Sequence, residues 1–233
     1  RKKQQGVYGR RSYYSAGLDN MPRKMKISPR SILEEFSSEE DISKALPLDI
    51  STSHLADALK NLTGSAHVVP GVKSIKNGFS IWGEVVTAHT SSNDWGTVLK
   101  AIDLADADNI LFLKSENDQK AIWGELTSKA AQNKKIKGTI VFGAVRDVSA
   151  VRSMNYPVFS RAIVPNAGAP LNEGEVNIPL QLEDLTVYPG DFVMADDGGV
   201  VVVPQDMLLE TLKESLKIKD TEEEILILLN QGQ

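Results

Sequence analysis

The sequence predicts a mixed α/β domain in which helices and strands alternate along the chain before a final group of hairpins. From residue 48 onward, segments with the apolar spacing of helices alternate with short runs rich in β-branched residues. Pro-Gly and Asp-Gly dipeptides then separate apolar runs between residues 176 and 204, which is typical of β-hairpins. The 233 residues, 41% of them hydrophobic, are enough to bury a sizeable core.

The elements follow in order. The first is a helix in DISTSHLADALKNLTG, where a Ser or Thr caps the start and Gly64 ends it. A strand in GFSIWGEVVTAHT, a helix in DWGTVLKAIDLA with Asp94 as its cap, and a buried strand in NILFL come next. The next three are a helix in GELTSKAAQNKK, a strand in GTIVFG and a short helix in DVSAVRSM. Strands from VNIPLQL to LTVYPGDFVMADDGGVVVVP precede a long helix that begins at Gln205.

Charge divides the chain into two regions. Residues 1–30 carry nine Lys or Arg against one acid, a charge of about +8, whereas the whole chain has a net charge of -5. We interpret residues 1–46 as a basic extension or linker with a short helix in SILEEFSSEEDISKAL, and residues 47–233 as the main domain. An RNA-binding or acid-binding tail and a transit peptide are the alternatives for the basic segment.

Composition excludes several classes of protein. The absence of cysteine excludes disulfides, thiolate metal sites and a cysteine nucleophile. The three histidines lack the spacing of a zinc enzyme. Because no apolar run approaches the roughly 18 residues of a membrane span, we expect a soluble, cytoplasmic protein that does not bind membranes, and nucleic acid is not favoured as a partner.

The stretch GELTSKAAQNKKIKGTIVFGAVRD predicts that distant charged residues meet. A helix of about 12 residues rises roughly 18 Å, and a strand of about six residues returns roughly 20 Å. The start of the helix and the end of the strand therefore lie at the same end of the unit. Glu125 should then lie near Arg146 and Asp147, despite the 20 residues between them.

The helix start adds an anion-binding element to these charges. The backbone N–H groups of Leu126 and Thr127 have no intrahelical acceptor, and the positive end of the helix dipole lies behind them. Gly124 would let a ligand approach the backbone closely. An alternative without function is equally compatible with the spacing: Asp147 caps the next helix, Glu125 is an ordinary first-turn acid, and Arg146 is a surface partner to either.

Several segments resemble one family. The acid followed after 20 residues by Arg-Asp is similar to the signature of the family that contains the regulator of ribonuclease activity A and the class II 4-hydroxy-4-methyl-2-oxoglutarate aldolases. STSHLADAL, KAIDLADADNILFL, PVFSRAIVPNAG and VNIPLQLEDLTVYPGDFVMADDGGVVVVP extend the resemblance over roughly residues 50–226. WGEL and VPNAGAP are especially similar to members fused behind a hexulose-6-phosphate synthase domain, so residues 1–46 could be a linker of that kind.

The resemblance implies an RraA-like swivelling β/β/α-type domain that forms a homo-trimer or hexamer with active sites between subunits. It implies that Asp147 holds Mg²⁺ or Mn²⁺ and that Glu125 positions metal-bound water. Arg146 would stabilise the enolate of pyruvate, while the amides of Leu126 and Thr127, beside Gly124, would hold the carboxylate of a 2-oxo acid substrate. In the family's aldolases a glutamate from the neighbour's C-terminal helix completes the site, and Glu222 is the best positional match.

The implied function is a metal-dependent lyase that releases pyruvate from 4-hydroxy-4-methyl-2-oxoglutarate-type acids and decarboxylates oxaloacetate. The alternatives are a non-catalytic trimer that regulates a ribonuclease or binds another protein, and an accessory domain of a hexulose-6-phosphate synthase. No pattern identifies the residue that would bind the second carboxylate of such a substrate; Arg161 and Lys100 are guesses.

Overall fold

The structure is a computed structural model, and it describes residues 49–232. Of these, residues 49–67 and 203–232 form one compact unit, and Val68–Val202 forms another. The basic segment, the short helix predicted in SILEEFSSEEDISKAL and the boundary at residue 46 lie outside the described residues. No helix within residues 49–232 is both long enough and apolar enough to cross a bilayer.

The described chain contains five α-helices, eleven strands and one 3₁₀ turn, Gln205–Met207. In chain order the elements are α1 (Thr52–Thr63), β1 (Lys73–Ser74), β2 (Ile81–Thr90), α2 (Gly96–Leu104), β3 (Ile110–Ser115), β4 (Ala121–Trp123), α3 (Glu125–Asn133), β5 (Gly138–Val145), α4 (Val148–Ser153), β6 (Val158–Ile163), β7 (Glu175–Val176), β8 (Leu180–Leu182), β9 (Leu185–Val187), β10 (Phe192–Asp196), β11 (Gly199–Val203) and α5 (Leu208–Asn230). Within residues 49–232 the predicted helices and strands are confirmed, except that the final α-helix begins at Leu208, after a 3₁₀ turn that starts at the predicted Gln205. Strands β1, β4 and β6 are not among the predictions.

The first unit pairs the helices α1 and α5. Ser51 caps α1 by accepting the His54 backbone N–H, and the His54 ring accepts the Ser51 backbone N–H at 3.0 Å. Gly64 ends α1 in the left-handed conformation, as predicted. The first half of α5 buries an apolar face, while five consecutive residues near its end are 47–60% exposed: Ile225, Leu226, Ile227, Leu228 and Leu229.

The second unit is built on a sheet with strand order β1-β6-β5-β3-β2-β10-β11, in which β4 also pairs with β5 and β7 with β2. Its centre is parallel, since β2, β3, β5 and β6 pair in that sense. Alternate residues of β3 enter two apolar clusters: Leu111 and Leu113 join one, and Ile110 and Phe112 join the other. Both faces of the parallel strands are therefore buried, as βα alternation requires.

Asp94 is not the N-cap of α2. The cap position is Trp95, and its side chain makes no capping hydrogen bond. Asp94 lies one residue earlier, and its carboxylate accepts the Gly96 N–H at 2.7 Å. The prediction was wrong by one residue because Asp94 serves a larger network that local spacing does not reveal.

Candidate active site

Strand β4 brings the start of α3 to the end of β5. It runs parallel to β5 with Trp123 opposite Val145, and the Arg146 N–H donates to the Trp123 carbonyl at 2.9 Å. Because α3 begins two residues after Trp123, its first turn faces the Arg146-Asp147 pair. The Glu125 N–H donates to Asp147 Oδ2 at 3.4 Å, which confirms the predicted meeting of the two ends.

The absence of a side chain at Gly124 makes room for the Arg146-Asp147 pair, whereas the prediction was that it would make room for a ligand. A Cβ atom at residue 124 would lie 2.7 Å from Asp147 Oδ2 and 3.2 Å from Arg146 Cγ. The space that the missing side chain leaves is therefore filled by the protein's own charged pair. Gly124 lines the site because only glycine allows Asp147 so close to the helix start.

The side chain of Asp147 does not cap α4, the helix that follows it. Asp147 occupies the N-cap position of α4 in the left-handed conformation, with φ 56° and ψ 32°, and makes no side-chain capping bond. Its carboxylate instead faces the Glu125 N–H and lies 3.5 Å from Arg146 Nε. The capping alternative is wrong for this residue, and an unfavourable backbone conformation of this kind is typical of functional sites.

The first turn of α3 offers two backbone donors. Its first intrahelical bond runs from the Ser128 N–H to the Gly124 carbonyl at 3.1 Å. The Thr127 hydroxyl accepts the Gly124 N–H at 3.0 Å. None of the N–H groups of residues 125–127 has an intrahelical acceptor, and the Glu125 N–H donates to Asp147, so the Leu126 and Thr127 amides are the two that can face a ligand.

These residues share one cavity of about 290 Å³. Its lining includes all six site residues predicted from this stretch, Gly124, Glu125, Leu126, Thr127, Arg146 and Asp147. It also includes five apolar residues that the sequence did not indicate: Trp95, Ala121, Ile122, Trp123 and Ala167. Arg146 and Asp147 have side chains that are 41% and 40% exposed, so a ligand in the cavity can reach both.

Asp94 fixes the wall that contains Trp95. It is fully buried, and its two carboxylate oxygens accept six hydrogen bonds, from the side chains of Thr90 and Thr97 and from the backbone N–H groups of Gly96, Leu171, Asn172 and Glu173. Burial alone would raise the pKa of Asp94, but these hydrogen bonds hold it well below its ordinary value. Asp94 is thus a charged structural hub beside the cavity.

Comparison with known proteins shows the family to which the chain belongs. A family model described as RraA-like, Aldolase/RraA, matches residues 52–202. The chain belongs to the RraA-like family. The mixed α/β fold, predicted from the alternation of helices and strands, and the RraA-like domain implied by the resemblance both agree with this assignment.

Individual relatives of this RraA-like chain carry different names. An uncharacterized protein of Methanocaldococcus jannaschii is 35% identical over 188 residues, which are 79% of this chain and 88% of the relative. A 4-hydroxy-4-methyl-2-oxoglutarate aldolase of Thermus thermophilus is 30% identical over 113 residues, 48% of this chain and 69% of the relative. The solved structure of the RNA-processing inhibitor RraA from Thermus thermophilus is 27% identical with a TM-score of 0.58, over 64% of this chain and 92% of that one.

Glu222, the remaining predicted site residue of the RraA-like chain, lies on α5 in the unit formed by residues 49–67 and 203–232. Its carboxylate meets His54 Nε2 at 2.9 Å. Because the Ser51 backbone N–H donates to Nδ1 of this ring, a neutral His54 carries its proton on Nε2 and donates it to Glu222. The cavity lining consists of residues from the other unit, so an active-site role for Glu222 stays a prediction.

The donor set of the cavity fits a weakly held divalent cation. Within residues 49–232 no three His, Asp or Glu side chains converge as a preformed metal cage. Asp147 Oδ2 faces the Glu125 N–H and Arg146, whereas these contacts do not involve Oδ1. One carboxylate beside solvent suits Mg²⁺, which retains most of its waters.

Proposed function

We propose that the chain is a divalent-metal-dependent lyase that cleaves 4-hydroxy-4-methyl-2-oxoglutarate-type acids to pyruvate and also decarboxylates oxaloacetate. The observation that carries the proposal is the Asp147 carboxylate, held away from its own helix and inside a cavity that contains Arg146 and two helix-start amides. A 30% identical relative named as an aldolase supports it.

The chain's own groups divide the work on a 2-oxo acid. The Leu126 and Thr127 amides would bind the carboxylate, since helix-start N–H groups with the dipole behind them favour an anion. Arg146 would donate to the oxygen on which negative charge develops during C–C cleavage, and Glu125 would hold a water molecule beside the reacting carbons. Asp147 would hold Mg²⁺ or Mn²⁺, which supplies Lewis acidity toward the 2-oxo and carboxylate oxygens when bound.

Oxaloacetate decarboxylation, measured with Mg²⁺ and after exhaustive treatment with EDTA, tests the proposal. We expect chelation to abolish pyruvate release and added Mg²⁺ or Mn²⁺ to restore it. Asp147→Asn should lose activity and keep its fold, whereas a capping role would leave activity almost normal because Asn caps helices about as well as Asp. Activity that survives chelation would overturn the metal-dependent mechanism.

A homo-trimer or hexamer with shared sites is part of this proposal. The end of α5 would deliver Glu222 to the metal site of a neighbouring subunit. Mixed Asp147→Asn and Glu222→Ala chains, each inactive alone, should regain activity because some interfaces then combine both intact residues. As a control, fluorescently labelled chains are used to verify that subunits exchange between oligomers. Exchange without recovered activity would reject the shared site.

A regulator that binds a ribonuclease is the second candidate. Two observations favour it: the 27% identical structure named as an RNA-processing inhibitor, and the five exposed apolar residues near the end of α5. An absence of turnover on oxaloacetate and on 4-hydroxy-4-methyl-2-oxoglutarate, together with inhibition of a purified ribonuclease, would favour this function over the lyase.

A further inference from the structure

One hydrogen bond joins Glu222 to the start of α1. Oε2 of Glu222 lies 2.9 Å from His54 Nε2, although the two residues are 168 positions apart in the chain. The Glu222 side chain is 52% exposed, whereas the His54 side chain is only 15% exposed. Oε1 of Glu222 takes no part in this contact, so one carboxylate oxygen is held while the other can reach outward.

The His54 ring is fixed on its other side by the cap of α1. The Ser51 backbone N–H donates to Nδ1 at 3.0 Å, and this bond is half of the capping box. A flip of the ring would exchange the two nitrogens and break the contacts with Ser51 and Glu222. Glu222 therefore meets a donor whose position and direction are already set.

Glu222 has no comparable partner on its own helix. Lys219, one turn earlier, contacts Asp49 at 3.3 Å and Glu223 at 3.4 Å. The other residues three or four positions away on α5 are apolar: Ile218, Ile225 and Leu226. Without His54 the carboxylate would sample several rotamers, because an exposed glutamate side chain has much rotational freedom.

The contact is not needed to pair the two helices. α1 and α5 pack together, and each buries leucines: Leu55 and Leu59 in α1, and Leu212 and Leu216 in α5. Exposed ion pairs contribute little to stability. The exposed apolar end of α5 begins three residues after Glu222. The bond to His54 therefore orients the turn of α5 that directly precedes this end.

We propose that His54 is a positioning residue, which holds the Glu222 carboxylate in the orientation in which α5 presents it to a neighbouring subunit. The inference rests on the proposed function and on its shared site. His54 binds Oε2 and leaves Oε1 to accept a hydrogen bond in the neighbour's cavity. Removing a partner that orients a carboxylate at a metal site typically lowers activity by about 10–100-fold.

Two substitutions separate the two bonds of the His54 ring. Asn keeps an acceptor for the Ser51 N–H and is too short to reach Glu222, whereas Gln places an amide NH₂ near the position of Nε2. We expect His54→Asn to lower kcat on oxaloacetate by about 10–100-fold with KM unchanged, since the groups that bind the substrate carboxylate are intact. His54→Gln should retain most of the wild-type kcat. Equal losses in both variants would overturn the inference.

Asn61→Ala is the matched control, because Asn61 also joins α1 to α5, by donating to Glu214 at 3.3 Å. It should keep the wild-type kcat, and urea denaturation should give similar midpoints for all three variants. A loss of kcat in Asn61→Ala as large as that in His54→Asn would overturn the inference, because kcat would then report only on the packing of the two helices.

Mixed oligomers test whether His54 acts in the same subunit as Glu222. His54→Asn mixed with Asp147→Asn should recover activity, because some interfaces then combine an intact Asp147 with an intact His54–Glu222 pair. His54→Asn mixed with Glu222→Ala should recover none, since both changes impair the same pair. Recovery in the second mixture would overturn the inference.

The His54 ring gives a readout that is independent of activity. In ¹H–¹⁵N spectra of protein labelled with ¹⁵N-histidine, Glu222→Ala should shift the His54 ring nitrogens, and unchanged resonances would overturn the inference. If wild-type activity is present and His54→Asn keeps the wild-type kcat, only the inference fails. A fully active Glu222→Ala rejects the shared site together with the inference, and a wild-type chain without oxaloacetate decarboxylation rejects the proposed function as well.

Discussion

Two aspartates that each follow a strand and precede a helix have opposite surroundings. Asp94 is fully buried and accepts six hydrogen bonds, whereas Asp147 is 40% exposed and has two long contacts, at 3.4 and 3.5 Å. A carboxylate whose lone pairs are all used can organise structure and cannot bind a ligand. A carboxylate with free lone pairs contributes little to stability and remains available for chemistry.

The largest expected effect is on stability at Asp94. Asp94→Ala leaves buried N–H groups of Gly96, Leu171, Asn172 and Glu173 without an acceptor. We expect the free energy of unfolding to fall by about 4 kcal/mol, because each unsatisfied buried group costs about 1–3 kcal/mol and the loop can relax only in part. Urea denaturation measures this, and a loss below about 1 kcal/mol would refute the hub role.

The next effect is on catalysis at Arg146. Arg146→Lys should lower kcat on the order of 100-fold, because the planar guanidinium serves two oxygens at once and lysine does not. Arg161→Lys is the control, since Arg161 pairs with Asp118 outside the cavity lining, and its kcat should be unchanged. Steady-state decarboxylation of oxaloacetate measures both variants. Equal kcat values for the two would return Arg146 to a surface role.

Lowering the pH should reveal how much Asp94 contributes to the stability of the fold. Its folded-state pKa is lowered from the ordinary value of 3.8, so its stabilising effect is complete above that value and is lost as the pH falls toward the folded-state pKa. Wild-type stability should fall by up to about 1.4 kcal/mol per pH unit below about pH 4 from this group. In Asp94→Asn this contribution is absent, so the stability difference between the two proteins should shrink on acidification. A difference that stays constant down to pH 2 would contradict the lowered pKa.

The smallest effect is the change in stability at Asp147. Asp147→Asn should alter the free energy of unfolding by less than about 0.5 kcal/mol, because the side chain is half exposed and Asn also tolerates the left-handed conformation. Asp94→Asn should lower the free energy of unfolding by about 1–2 kcal/mol, since the amide NH₂ would face donors whose hydrogen bonds a carboxylate oxygen now accepts. Parallel urea titrations compare them, and a larger loss at Asp147 would reverse their assigned roles.

Local sequence determined most elements and one part of the site. Ser51 and Gly64 mark the two ends of α1 through short-range capping contacts, so the local sequence was sufficient to predict that helix. The lengths of a helix and the strand that follows it also fixed which ends meet. This is why the proximity of Glu125 to Arg146 and Asp147 could be predicted from the spacing of a single stretch.

Tertiary structure decided what that spacing could not. Strand β4 has only three residues, so its sequence shows no periodicity, yet its pairing with β5 brings the start of α3 to Asp147. The left-handed backbone of Asp147 and the close approach of charged side chains to Gly124 depend on that pairing. Three of the six hydrogen bonds to Asp94 come from residues 171–173, more than 75 positions away. The same loop packing puts Trp95 and Ala167 into the cavity wall. Hydrogen bonds between distant loops leave no local pattern, because either partner alone has the sequence of an ordinary surface turn.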